Sequence, residues 1–166
     1  DPQLQVGAYH NGDRTGSYGV EWDCRFKQGP VSAAVSWSLY HANKNQVPDY
    51  VVRGEDGLML GFPGNKASAL ISWKMVHGLS LSVSGVWMSK RYGDDPVRGV
   101  SFEEDPALIA NVFLTARDLL AEGVSISLGV HDLGKSGYTF LQPYNGGSAP
   151  LPGTGREFLL KVICEL

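Results

Sequence analysis

Cysteine, histidine, basic charge and long apolar runs are all scarce in this sequence, and each scarcity removes a class of protein. The two cysteines, Cys24 and Cys164, do not make a disulfide framework, and no zinc-type spacing accompanies them, so both read as small apolar side chains. The four histidines, His10, His41, His77 and His131, are scattered, with no pair at a ligand spacing such as His-x-x-x-His. They read as polar rim or interior residues, and no metal site is expected. Fourteen basic residues against 17 acidic ones leave a net charge of -3. Without a basic stripe there is nothing to release phosphate counterions, so nucleic acid is not an expected partner. No long uncharged apolar run suggests a membrane helix, and the opening DPQLQV does not read as a signal peptide. Either a signal was removed or the chain is a piece of something longer. No Ser/His/Asp grouping at plausible strand positions supports an enzyme, and no motif asks for a cofactor. The Pro/Gly string from Gly146-Gly147 to Gly155 is turn chemistry rather than a phosphate cradle, because no helix follows it. The acidic clusters Glu55-Asp56, Asp94-Asp95 and Glu103-Glu104-Asp105 lie in loops, where they could attract a cation or a basic ligand or serve as solvated tips.

What the sequence has in abundance is alternation. The 166 residues are 43% apolar, with 21 Gly, enough for one domain with many turns. Their periodicity is nearly all of period two, the mark of strands. In SYGVEWDCRFK, residues 17–27, Tyr18, Val20, Trp22, Cys24 and Phe26 share one face and Glu21, Asp23, Arg25 and Lys27 the other. Val31, Ala33, Val35, Trp37 and Leu39 oppose a serine-rich lane after the turn QGP. Ala67, Ala69, Ile71, Trp73 and Met75, then Leu79, Leu81, Val83 and Trp87, continue the pattern as antiparallel hairpins. Later lanes are Leu108 to Ala116, Val124 to Val130, and Phe158, Leu160, Val162, Cys164 and Leu166. A weaker strand, Leu4 to His10, opens the chain.

Connection lengths separate two rims. Short links fall at residues 28–30, 76–78 and about 117–123, and longer ones at roughly 43–64, 92–106 and 133–155, in strict alternation. Outer-membrane barrels show this asymmetry, with short periplasmic turns and long extracellular loops. Their strands need about 9–11 residues tilted near 45° to cross the hydrocarbon. The fold class expected is therefore all-β, an antiparallel transmembrane β-barrel with about eight strands present. A soluble antiparallel sandwich is the alternative that periodicity alone leaves open. On the barrel reading Trp22, Val35, Trp37, Ile71, Trp73, Val83, Trp87, Phe158, Leu160 and Val162 face lipid, since their lanes carry no charge. The four tryptophans belong to this lane, at distances from the turns too unequal for one clean girdle. The opposite lane, rich in serine from Ser32 to Ser127, would leave voids in a narrow eight-stranded interior. It suits the solvated wall of a wider barrel, of which this chain would be an arc.

At the C-terminal end, SISLGVHDL followed by GYTFLQPYNGGSAPLPGTGREFLLKV resembles the end of TonB-dependent outer-membrane receptors. In these a strand ending in an Asn-Leu-Phe-Asp type element leads through a loop to a closing PGREF-like strand. GFPGNKASALISWKM, GLSLSVSGVWMSKRYG and PALIANVFLTARDLL look like the strands before that end. The most specific pieces are Pro152-Gly153 with Gly155-Arg156-Glu157-Phe158, and Gly61-Phe62-Pro63; Asp132-Leu133-Gly134-Lys135 stands in place of the Asn-Leu-Phe-Asp element, and Leu166 where an aromatic residue commonly ends the barrel. The resemblance implies the outer membrane of a Gram-negative bacterium, lipid as a partner, and a part in the uptake of a scarce solute such as an iron chelate. It also implies a barrel of about twenty-two strands around a plug. Residues 1–166 read as one barrel segment without a plug domain, so further strands and a plug would come from the rest of a receptor or from another chain, with the TonB system engaged only through that plug. A structural barrel subunit or anchor, or an independent eight-stranded barrel without transport, remains the alternative. The ligand-contacting residues are not identifiable from the sequence.

Overall fold

A computed structural model describes residues 14, 16–44, 47, 50–55, 57–76, 78–95, 100–118, 121–142 and 148–165. The expected first strand at residues 4–10, together with His10, Asp56, His77, Gly146, Gly147 and Leu166, lies outside the described residues.

Among the described residues eleven strands follow one another: β1 (Gly16–Gln28), β2 (Val31–Asn43), β3 (Asn65–Lys74), β4 (Leu79–Met88), β5 (Arg91–Asp95), β6 (Val100–Glu104), β7 (Ala107–Arg117), β8 (Val124–His131), β9 (Thr139–Gln142), β10 (Ser148–Pro152) and β11 (Glu157–Cys164). Seven of them form one sheet in the order β1-β2-β3-β4-β7-β8-β11, and β5-β6 and β9-β10 are separate two-stranded hairpins. Every neighbouring pair in the large sheet is antiparallel. The sheet is thus a meander, interrupted only where the two hairpins are inserted at one rim.

The short links sit where alternation stopped. Gln28 pairs with Val31, leaving Gly29 and Pro30 as the whole turn, with Gly29 at φ 53°. Positive φ carries little steric cost for glycine, which has no Cβ. At the third turn Asp118, itself at φ 55°, accepts a hydrogen bond from the Gly123 N–H on its Oδ1 at 2.8 Å. The long links all leave from the opposite ends of the strands.

This is a single layer, and its faces are left uncovered by the described chain. The surface is 12120 Å², where a compact monomer of 17.9 kDa has about 8000 Å². A soluble sandwich would bury one face against a second sheet; no second layer is present among the described residues. The buried hydrophobic residues are Ala42, Val52, Leu60, Met88, Tyr92 and Ala107, all at the long-loop rim. Val52, Leu60 and Tyr92 form one cluster with Leu58 packed against it. The sheet itself has no core of its own.

Candidate functional site

The register turns the separate lanes into one face. Trp22 pairs with Trp37, Trp37 with Ala67, Ala67 with Trp87 and Trp87 with Leu108. Val35 pairs with Cys24 and Ala69, and Ile71 with Ala33 and Val83. At the far edge Phe158, Leu160 and Val162 pair with Val130, Leu128 and Ile126. Side chains alternate across a strand, so partners and every second residue point the same way. Trp22, Val35, Trp37, Ile71, Trp73, Val83, Trp87, Phe158, Leu160 and Val162 therefore share one face, and their exposures run from 38% to 79%. No Asp, Glu, Lys or Arg interrupts that face anywhere in the seven strands. Three of the four tryptophans, Trp22, Trp37 and Trp87, fall in a single cross-strand row, while Trp73 lies toward the turn end of β3. Counting from turns did not reveal this row, because it depends on the stagger between strands.

The other face is polar and bonded to itself from strand to strand. Ser36 Oγ meets Ser68 Oγ at 2.7 Å, Ser72 Oγ meets Ser82 Oγ at 3.0 Å, and Thr115 Oγ1 meets Ser127 Oγ at 2.9 Å. Asn111 donates through Nδ2 to Ser84 Oγ at 3.2 Å, while its Oδ1 accepts from the Asp132 N–H at 3.1 Å. Small hydroxyl side chains can satisfy one another along the wall this way, with no partner across a lumen. Leu70, Val86, Ile109, Phe113, Leu159 and Ile163 interrupt the polar pattern, and Phe113 lies over Gly129, where an added Cβ would sit 2.2 Å from its ring. All the charge of the large sheet is on this face: Glu21, Asp23, Arg25 and Lys27 on β1, Lys66 and Lys74 on β3, Arg117 on β7, Glu157 and Lys161 on β11.

The long loops meet above the sheet through β5. Tyr92 belongs to the Val52 and Leu60 cluster of the first loop, and its carbonyl accepts from the Gly61 N–H at 2.8 Å. Its neighbour Arg91, 3% exposed, takes up the third loop: the guanidinium stacks 4.5 Å from the Tyr138 ring and donates from Nη1 to the Thr139 carbonyl at 2.8 Å. Lys90 pairs with Glu103 at 3.2 Å; the Tyr92 side chain and then Glu103 hold its ammonium above the usual lysine range.

The pieces singled out near the C-terminus come together here. Asp132, buried and at φ 47°, accepts from the Ser136 N–H at 2.9 Å and from Ser136 Oγ at 3.1 Å. Arg156 donates to the Leu133 carbonyl, and the Gly153 N–H to the Tyr138 carbonyl at 2.8 Å. The Asp132 turn and the Gly153 to Arg156 segment thus clamp the two ends of the third loop. At the first loop Tyr40 accepts from the Met59 N–H at 3.2 Å and meets Phe62 edge-on.

Among the described residues no three His, Cys, Asp or Glu side chains gather into a possible metal site. The acidic residues singled out earlier are dispersed: Glu103 is in the rim ion pair, Glu55 and Asp105 are exposed, and Asp94 pairs across its hairpin with Ser101. His131 ends β8 opposite Glu157, and the ring of His41 lies against Gly57. These are rim positions, and nothing converges on them.

No protein-family model matches the chain, and no curated protein does. Solved structures do match. The ferric-catecholate import receptor Fiu from E. coli K12 aligns with 98% of this chain at a TM-score of 0.75 and 16% identity. The FrpB iron transporter from Neisseria meningitidis (F3-3 variant) aligns with 89% at 0.62 and 17%, and a chain of the FpvAI–pyocin S2 complex with 90% at 0.69 and 12%. The chain spans 22%, 23% and 19% of those three chains respectively. At these identities the likeness is one of fold, and the fold is part of an antiparallel β-barrel of the kind found in the outer membrane.

Proposed function

We propose that this chain supplies an arc of barrel wall, and the loops above it, to an outer-membrane receptor of a Gram-negative bacterium that takes up a scarce solute such as an iron chelate. The observation that carries the proposal is the uncharged face running unbroken across seven strands, between two edges that no other described strand pairs. Full burial of a large apolar side chain gains about 1.5–3 kcal/mol, so even partial transfer of this face out of water amounts to roughly 10 kcal/mol. That is comparable to the whole net stability of a domain, about 5–15 kcal/mol. Lipid removes the face from water without a second protein layer. The residues from Trp22 to Val162 named above would then face acyl chains, and the serine wall would line an aqueous lumen.

The class of solute is taken from the similar structures, an importer of ferric catecholates and an iron transporter. Transport would also need what the described sheet does not contain: the remaining strands and a plug, from elsewhere in a receptor or from another chain, with the TonB system acting through the plug. Uptake of a radiolabelled ferric chelate by cells carrying the intact gene, or a version with residues 157–164 deleted, tests the proposal. Loss of uptake with an otherwise sound envelope is expected. Unchanged uptake with a leaky envelope would instead assign the chain to a structural barrel subunit or anchor.

A further inference from the structure

We propose that the second long loop is a two-sided clasp, fixed to the first loop and releasable from the third, with Arg91 as the latch that passes between the third loop and Glu104. The inference takes from the proposed function only the place of these loops at the mouth of a lumen; the clasp itself stands on contacts within the rim. β5 and β6 pair as a hairpin, so successive residues of β5 point to opposite faces. Tyr92 grips the first loop and Arg91 the third. The two grips differ in kind. On the Tyr92 side, Val52, Leu60 and Tyr92 are buried together, and the Gly61 N–H donates to the Tyr92 carbonyl at 2.8 Å. Parting them would return apolar surface to water.

On the Arg91 side the grip is polar and incomplete. The buried guanidinium has the Tyr138 ring at 4.5 Å and one hydrogen bond, from Nη1 to the Thr139 carbonyl at 2.8 Å. Its Nε is buried without an acceptor, and Thr139 Oγ1 is buried without a partner. No carboxylate of a described residue pairs with this cation. A buried charge with no counter-charge and an unmet donor is held at a cost in desolvation. The alternative partner lies on the same hairpin. Glu104 is opposite Arg91 across the strands, and such partners share a face with Cβ atoms about 5 Å apart. Glu104 is partly exposed and makes no ion pair with a described residue, whereas Glu103, on the other face, is taken by Lys90 at 3.2 Å. Arg91 therefore has two discrete arrangements. In one it holds Tyr138 and Thr139; in the other it turns to Glu104, gains a charge-assisted pair nearer water, and lets the third loop go.

The moving part is the β9-β10 hairpin. The Gly153 N–H to Tyr138 carbonyl bond ties it within itself, and glycines stand on both of its connections: Gly134 and Gly137 on the way from β8, with Gly137 at φ 65°, and Gly155 on the way to β11. Such positions can absorb the rotation of a hinge. Release parts the second and third loops while the first stays with β5-β6.

Amide hydrogen exchange of the purified protein in lipid, read by mass spectrometry in peptides of the first loop and of β9-β10, tests this. Arg91→Gln should speed exchange in β9-β10 several-fold and leave the first loop unchanged. Glu104→Gln, a substitution at a partly exposed position, removes the alternative partner and should slow exchange in β9-β10 several-fold, because fewer molecules visit the released state. Unchanged exchange in Glu104→Gln would overturn the latch and leave Arg91 a static contact. Faster exchange in both loops in Arg91→Gln would overturn the two-sided clasp. Uptake of the ferric chelate keeps this apart from the reading beneath it: unchanged exchange in Glu104→Gln with uptake intact overturns the latch alone, and slowed exchange with no uptake by cells carrying the intact gene supports the latch and overturns the transport reading alone.

Discussion

Adjacent residues in this sheet belong to an uncharged face and a polar one, and that is where substitution is most informative. Val35 and Ile71 are on the uncharged face, and Ser36 and Ser72 sit beside them on the hydroxyl ladder. Arginine at Val35 or Ile71 should cost about 2–4 kcal/mol if the site lies near the bilayer midplane. Arginine at Ser36 or Ser72 should cost much less, since a lumen can hydrate it. Equilibrium unfolding of the assembled protein in lipid measures both, and equal penalties on the two faces would contradict the membrane reading. A second prediction concerns Asp132, whose carboxylate receives the Ser136 N–H and hydroxyl in a buried setting. Asp132→Ala leaves those donors unsatisfied, at about 1–3 kcal/mol. The expected outcome is faster proteolytic cleavage within residues 133–155 while the strands stay protected. An unchanged cleavage rate would show that the Asp132 bonds do not hold the loop. Asp132 was quoted in the sequence only as a departure from a motif. Its role depends on burial beneath the loop and on Asn111, which is distant in sequence, and neither shows in local pattern.

Elements divide into those that local alternation specifies and those that only packing specifies. The seven long strands were legible because each keeps period two for eight residues or more, with turn residues at Gly29 and around Asp118 to Gly123. The hairpins β5-β6 and β9-β10 were not. They are strands of four or five residues, three of them carrying Asp, Glu, Gly or Pro, within stretches that read as loop. Arg91 on Tyr138 and Tyr92 on Leu60 and Val52 tie them to the other loops, and these are contacts between distant segments. The row of Trp22, Trp37 and Trp87 was hidden for a related reason: register sets it, and register is not local. The rims themselves support a topological prediction. With Cys24→Ala and Cys164→Ala as background, a cysteine at Leu151 should react with an impermeant reagent on intact cells, and a cysteine at Gly29 should not. The reverse pattern would invert the assignment of loops to the exterior and turns to the periplasm.

For the molecule as a whole, the decisive features are the unpaired edges. Among the described residues β1 pairs only with β2, and β11 only with β8. Each unpaired N–H or C=O costs several kcal/mol in hydrocarbon, so the sheet cannot stand in lipid with both edges open. Seven antiparallel strands also leave β1 and β11 running in the same direction. Joining them directly would make a parallel seam, whereas barrels of this kind are antiparallel throughout with an even strand number. An odd number of further strands restores the pattern, and one strand would suffice only for a narrow eight-stranded barrel. Its interior is just wide enough to be filled by side chains. The serines of the polar wall, bonded strand to strand, fill little of such an interior. The wide-barrel account is therefore tested most directly by refolding the isolated 166-residue chain in detergent and measuring its heat-modifiable gel migration together with the mass of the solubilised species. The account predicts aggregation, or a requirement for added strands before any heat-modifiable species forms; a monodisperse, heat-modifiable monomer would contradict it and establish an independent small barrel.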